Sequence, residues 1–326
     1  MDILAAWSWD NQITWHENYG NQTFREHTIT TAVQEPVWVR TADIDQDGDM
    51  DVLSASSVDD KIAWYENNGS QQFTVHTIST NADGAKQVYA VDLDGDGDMD
   101  MVSASSNDNT VAWYENDGSE NFTTHDVSTE ITAVRSICVI DLDLDGDMDI
   151  VSASEEDDIV AWHENTGDGT FHYHPVFDDA RGVRSVFAAD LDEDNDIDIV
   201  FAAAAVLTVK WLENDGNQMF SLDTISFWNY SLTTVYAIDV DSDGDTDVLS
   251  TSAGDHKIAW YENLHSDTTA IREINPRASR FYLEQNYPNP FNPTTTIDLM
   301  WKLPAGFPWL CMIFPVELLQ RWSTDR

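Results

Sequence analysis

The tetrapeptide Trp-x-Glu-Asn stands at Trp15, Trp64, Trp113, Trp162, Trp211 and Trp260, with a constant step of 49 residues. Other markers keep the step: Phe24, Phe73, Phe122, Phe171 and Phe220, and His27, His76, His125 and His174. No net insertion separates them, so the chain is built from six copies of one structural unit. A strict repeat of this kind dictates the architecture before any single residue does. Within a unit, short β-branched and aromatic runs alternate with Gly, Asn and Asp, which is strand rather than helix periodicity. In the second unit the runs predict four strands, at about 37–44, 51–56, 61–66 and 73–79. Four strands in a repeat near 50 residues is the size of a propeller blade. The expected fold is an all-β propeller of about six four-stranded blades over residues 1–263; an extended β-solenoid fits less well, its coils being shorter and richer in Gly and Asn. Residues 264–280 read as a linker and 281–326 as a separate tail.

Subtracting one period from Met50, Asp51 and Leu53 lands on Met1, Asp2 and Leu4. The chain thus begins inside a unit whose first strand is missing, and the reading is that Met1 is an internal methionine of a longer product. The start shows no basic segment followed by an apolar run, hence no visible signal peptide.

An acidic loop repeats in register five times. Its carboxylates are Asp43, Asp45, Asp47, Asp49 and Asp51; Asp92, Asp94, Asp96, Asp98 and Asp100; Asp141, Asp143, Asp145, Asp147 and Asp149; Asp190, Asp192, Asp194, Asp196 and Asp198; and Asp239, Asp241, Asp243, Asp245 and Asp247. Alternating carboxylates on a tight turn are the donor set of a hard cation such as Ca²⁺, with glycine at position six permitting the bend. Positions one, three, five and nine are expected to donate side chains, and position seven its backbone carbonyl. Up to five Ca²⁺ sites follow, read as structural clasps. An EF-hand is excluded, because Ser54, Ser103 and Ser152 stand where its twelfth-position Glu belongs and the flanks are strands. In the fourth loop Asn195 replaces the glycine, and Asn is the next most tolerant residue for positive φ.

Charge points the same way. With 15 Lys+Arg against 60 Asp+Glu the net charge is −45, which repels nucleic acid and anionic membranes. Yet 13 Trp, 13 Phe and 10 Tyr are too many aromatics for a disordered acidic chain, so the acid must be neutralised locally. Two cysteines, Cys138 and Cys311, make no disulfide framework, and no apolar run reaches the length of a membrane span.

The motif tryptophans are expected to fill the core between blades, and the glutamates Glu17, Glu66, Glu115, Glu164, Glu213 and Glu262 to satisfy turn or inter-blade hydrogen bonds. Repetition argues against a catalytic role for either, since catalytic sites are single. The phased histidines should lie spread on the outer strands. The fifth unit is irregular: Ala202–Ala205 replace the Ser-rich turn, and Phe227-Trp228-Asn229-Tyr230 precede the last unit.

The acidic hairpin followed by Trp-Tyr-Glu-Asn and Gly-x-x-x-Phe resembles the FG-GAP/VCBS repeat family over residues 1–263. That resemblance implies a propeller, often seven-bladed, with calcium at the Asp loops and a role in extracellular adhesion or ligand binding. The tail Phe281-Tyr-Leu-Glu-Gln-Asn-Tyr-Pro-Asn-Pro-Phe-Asn-Pro-Thr-Thr-Thr-Ile297 is similar to the opening of a type A C-terminal sorting domain of the type IX secretion system, a match that stops near Pro304. It implies contact with that secretion machinery and export to the surface or surroundings of a Bacteroidetes-like bacterium. The combined expectation is a non-enzymatic, calcium-braced binding, adhesion or scaffold module for a protein or polysaccharide ligand. The competing expectations are an accessory domain of a secreted carbohydrate-active enzyme and a truncated product without function.

Overall fold

The computed structural model describes residues 2–20, 23–167, 169–227, 231–254, 256–263 and 282–283. The linker, the sorting-like tail apart from Tyr282–Leu283, and Trp228-Asn229-Tyr230 lie outside the described residues. The chain divides into two compact units, the first holding the described residues to Asp141 and Asp145–Asp179, the second Leu142–Leu144 and the described residues from Ala180 on.

In the first unit, blade one has three strands, β1 (Ile3–Trp7), β2 (Gln12–Asn18) and β3 (Phe24–Thr30). Blade two has β4 (Pro36–Ala42), β5 (Asp51–Ser56), β6 (Lys61–Asn67) and β7 (Phe73–Ser79); blade three β8 (Ala85–Val91), β9 (Asp100–Ser105), β10 (Thr110–Asn116) and β11 (Phe122–Ser128); blade four β12 (Val134–Ile140), β13 (Asp149–Ser154), β14 (Ile159–Asn165) and β15 (Phe171–Phe177). The second unit holds blade five, β16 (Val183–Ala189), β17 (Asp198–Ala203), β18 (Thr208–Asn214) and β19 (Phe220–Phe227), and blade six, β20 (Leu232–Ile238), β21 (Asp247–Ser252), β22 (Lys257–Glu262) and β23 (Tyr282–Leu283). Each sheet is antiparallel with its strands in chain order, so the fold is the all-β, six-bladed propeller type with a three-stranded first blade.

The second strand of every blade from two to five is buried along its whole length. Within the first unit, blades stack face to face and cover both faces of β5 and β9, the reason such segments read as continuous apolar and small-residue runs. Between blades two and three the core holds Leu53, Trp64, Val88, Met101 and Tyr114; between three and four, Val102, Trp113, Ile137 and Ile150. In the second unit Val200, Trp211, Val235, Val248 and Tyr261 form the equivalent layer. Trp64, Trp113, Trp162 and Trp211 are buried, as the repeat predicts, while Trp15 and Trp260 at the outer blades stay partly exposed. Burying each such ring stabilises by about 3 kcal/mol.

One core pair varies between blades. Tyr65, Tyr114 and Tyr261 hydroxyls share hydrogen bonds with Ser54, Ser103 and Ser250, at 3.2, 3.0 and 3.2 Å. Blade five drops both polar partners for Phe201 and Leu212. Blade four keeps Ser152 but sets His163 against it, 2.9 Å away and wholly buried. Burial pushes the His163 imidazole down from 6.5 to about 4. The unfolded chain therefore takes up a proton near pH 6.5 that the folded chain refuses until about pH 4, and stability is lost as pH falls through that window, by up to about 3 kcal/mol. His163→Tyr is expected to restore the pairing of the other blades and flatten this part of the pH dependence. Denaturant unfolding of both chains at pH 7 and pH 5 checks it: the variant should gain on its parent at the lower pH, and equal losses in both would refute the assignment.

Candidate metal centres

Each acidic loop joins the first two strands of a blade, and its local conformation follows from its own side chains. Position one bonds the N–H of position six, as Asp43 Oδ2 accepts from Gly48 at 3.1 Å and Asp92 Oδ2 from Gly97 at 3.1 Å. Positions three and five accept from the N–H two residues on: Asp47 to Asp45 at 3.2 Å, Asp49 to Asp47 at 2.8 Å. These short-range bonds are the reason Asp is favoured over Glu here. Position six sits at positive φ, 95° at Gly48 and 98° at Gly97, a conformation glycine adopts without strain. Asn195 takes the same place at 72° and still donates to Asp190, so the fourth loop closes like the others.

Position nine is a bracket. Asp51 is fully buried and receives two backbone N–H groups, Ile44 at 3.1 Å and Asn67 at 2.7 Å. Asp100, Asp198 and Asp247 do the same. The loop is thereby tied at one end to the apolar position-two residue, itself buried at Ile44, Leu93 and Leu191, and at the other to the Trp-x-Glu-Asn motif.

The carboxylates converge. One oxygen from each of Asp43, Asp45 and Asp51 lies within 4.8 Å of the others, and likewise for Asp92, Asp94 and Asp96; Asp141, Asp143 and Asp149 along their single nine-residue loop; Asp190, Asp192 and Asp194; and Asp239, Asp241 and Asp247. Loops two and four therefore group positions one, three and five, whereas the other three group one, three and nine. Desolvation pushes the position-nine carboxyls up, to about 6 at Asp51, Asp100 and Asp247 and about 7 at Asp198, against the opposing pull of their N–H partners. Asp45 and Asp94 are raised by the same cause, with smaller contributions from neighbouring carboxylates that include Glu66 and Glu115 of the repeat motif.

The residues fit a hard cation on an observation independent of acidity. The Oδ1 atoms of Asp43, Asp92, Asp190 and Asp192 are buried and accept no hydrogen bond among the described residues. A buried carboxylate oxygen without a donor is costly, and a cation held between it and its neighbours satisfies it. The position-seven side chains do something sequence reading missed: Asp49, Asp98, Asp147 and Asp196 press against Gly69, Gly118, Gly167 and Gly216 in the turn after the motif, where an added Cβ would collide with the carboxylate.

The motif glutamates also differ from expectation. They bond within their own blade: Glu17, Glu66, Glu115 and Glu164 meet His27, His76, His125 and His174 at 3.0, 2.8, 2.7 and 2.7 Å. The same histidines lie over the motif tryptophans, Trp15 with His27 and Trp64 with His76 at ring separations of 4.3 Å. The register explains this, since Trp15 pairs directly with His27 across β2 and β3, and Trp64 with His76 across β6 and β7. The histidines are half-exposed and on separate blades.

Antiparallel four-stranded blades, stacked through one tryptophan layer each and carrying an acidic hairpin loop between their first two strands, define a class of repeat propeller proteins. The chain belongs to the FG-GAP-like repeat family, whose model matches residues 1–54, 43–103, 92–152 and 141–201. No curated protein sequence matches. Among solved structures, an Agrocybe aegerita lectin described as recognising non-reducing terminal N-acetylglucosamine is 19% identical, with 78% of this chain and 72% of the lectin covered at a TM-score of 0.55. An auxiliary nutrient binding protein from Bacteroides ovatus is 14% identical over 78% of this chain and 65% of its own, TM-score 0.52. A protein from Bacteroides uniformis described as a putative 6-phosphogluconolactonase is 13% identical over 84% and 77%, TM-score 0.54. These likenesses concern the fold, which carries several functions.

Proposed function

We propose that this chain is a calcium-braced propeller acting outside the cell as a binding or scaffold module for a protein or polysaccharide ligand, without catalysis. The observation that carries the calcium reading is the buried, unpaired Oδ1 of Asp43, Asp92 and Asp190, set beside converging carboxylates in five loops of one design. Positions one, three, five and nine supply side-chain oxygens, and the ion's contribution is to cancel carboxylate repulsion and tie the loop between strands. Repetition favours this structural role: a device present in every complete blade braces the fold rather than performing one reaction. The sorting-like sequence Phe281–Ile297 supports export. The binding role rests on the fold and on family membership.

The test is calorimetric titration of metal-free chain with Ca²⁺, followed by binding of the chain to immobilised glycans and matrix proteins with calcium or with chelator. Several exothermic or endothermic equivalents per chain, and ligand binding lost in chelator, are expected. No calcium uptake overturns the clasp; uptake with no retention on a broad panel overturns the module.

A further inference from the structure

The first strands of blades two to six share an irregularity. Each carries a β-bulge near its start, where two residues oppose one on the second strand: the extra residues are Val37 in β4, Lys86 in β8, Arg135 in β12, Arg184 in β16 and Thr233 in β20. A bulge re-aims the side chain of its extra residue out of the alternation of the ladder. In a chain with 15 Lys+Arg against 60 Asp+Glu, three consecutive blades place a basic residue at this one position.

Within the first unit, Lys86 and Arg135 stand on the neighbouring strands β8 and β12. Lys86 is partly buried, and its ammonium makes no hydrogen bond or ion pair among the described residues. Burial lowers its pKa, the Arg135 charge lowers it further, and Glu35 and Glu155 oppose. Arg135 pairs through Nε with Glu155, which leaves its terminal N–H groups without a protein acceptor among the described residues. A desolvated ammonium beside a half-committed guanidinium is an arrangement that an anion relieves, and the fork of Arg suits a planar carboxylate. The net charge of −45 repels a polyanion, so the matching ligand has one isolated negative group.

We propose that Lys86 and Arg135 form a binding site for a single carboxylate carried on an otherwise uncharged body, a sugar acid or a peptide C-terminus. The site deepens the reading of the chain as a binding module and is separate from the acidic loops. Lys86 is the second residue of the strand whose far end opens the Asp92–Asp100 loop, roughly 20 Å away at 3.3 Å per residue.

The chain saturated with calcium is titrated with methyl glucuronide and methyl glucoside, and with an N-acetyl dipeptide in free-acid and amide forms. The acids are expected to bind at least about tenfold more tightly than their neutral partners, and the stronger acid identifies the source. Lys86→Gln and Arg135→Gln should each cost about tenfold, with Lys86→Arg retaining affinity. Unchanged melting temperature and calcium uptake in these variants keep the result separate from the loops. Equal affinity of acid and neutral forms, no binding of either acid, or acid binding indifferent to both substitutions overturns the proposal. Acid binding that persists while calcium uptake is absent sinks the clasp and leaves this site standing.

Discussion

Transfer of the folded chain from saturating calcium to chelator is expected to lower its melting temperature by about 10 °C or more. An ion at a hundredfold its Kd stabilises by about 2.7 kcal/mol per site, and each kcal/mol moves the midpoint of a domain of this size by about 2–4 °C. Two independent sites already reach the stated effect, and five loops carry the donor set. The pH dependence gives a second readout with a definite sign. Without the ion, Asp51, Asp100 and Asp247 titrate near 6 and Asp198 near 7 in the folded chain, all raised by desolvation from 3.8. Between those values the folded state binds protons that the unfolded state does not, and four such carboxyls outweigh the opposite contribution of His163, so stability in chelator should rise as pH falls from about 7 to about 4. With calcium bound the same carboxylates are held ionised, protons compete with the ion, and acidification should destabilise. Opposite slopes in the two buffers are the signature. Identical melting curves in calcium and chelator, or parallel slopes, would sink the clasp.

The 49-residue period made the blades legible because packing and repeat share one unit, and period-two alternation bounded the strands to within a residue or two: β5 and β7 stand where the second unit predicts them, and β4 begins at Pro36 and ends at Ala42. The acidic turns were legible for a local reason. Asp side chains bonding N–H groups two residues on, and a residue tolerant of positive φ at position six, are short-range chemistry that a sequence displays. What the sequence hid is non-local. The Glu–His pairs span 10 residues and depend on the register of the third and fourth strands. The approach of Asp49 to Gly69 needs two turns brought together. The bulges that isolate Lys86 and Arg135 carry no residue signature, since Val37 and Thr233 occupy them equally well. Nothing local in the sequence marks His163 as costlier than Tyr65 at the same repeat position; the cost appears only when Ser152 and the burial are known.

The asparagine of the repeat motif shows most sharply what such non-local bonds are worth, and Asn165→Ala is expected to be the most damaging single substitution among the loop-linking residues. Asn165 is buried, and its Nδ2 donates to Met148 O in its own blade's loop at 3.1 Å and to Leu93 O in the preceding blade's loop at 2.9 Å. Its Oδ1 accepts from Gly167 at 3.1 Å, fixing the following turn. In the second unit Asn263 makes the same two donations, to Thr246 O and Leu191 O. Truncation strands two carbonyls and an N–H; at about 1–3 kcal/mol for each buried group left unsatisfied, the loss should reach about 3–5 kcal/mol. Asn67, partly exposed and with Met50 O as the one acceptor seen for its Nδ2, sets the comparison, and Asn67→Ala should cost about 1–2 kcal/mol. Glu164→Gln, which disturbs a half-exposed pair with His174, should cost less than about 1 kcal/mol. Urea unfolding of the three variants in saturating calcium orders them. The bridge from Leu93 to Met148 also joins positions two and eight of adjacent acidic loops, so Asn165→Ala should weaken calcium uptake at two sites together where Asn67→Ala weakens it at one. A cost for Asn165→Ala no greater than that for Asn67→Ala would mean that the loops are braced blade by blade, with no coupling carried through the asparagine.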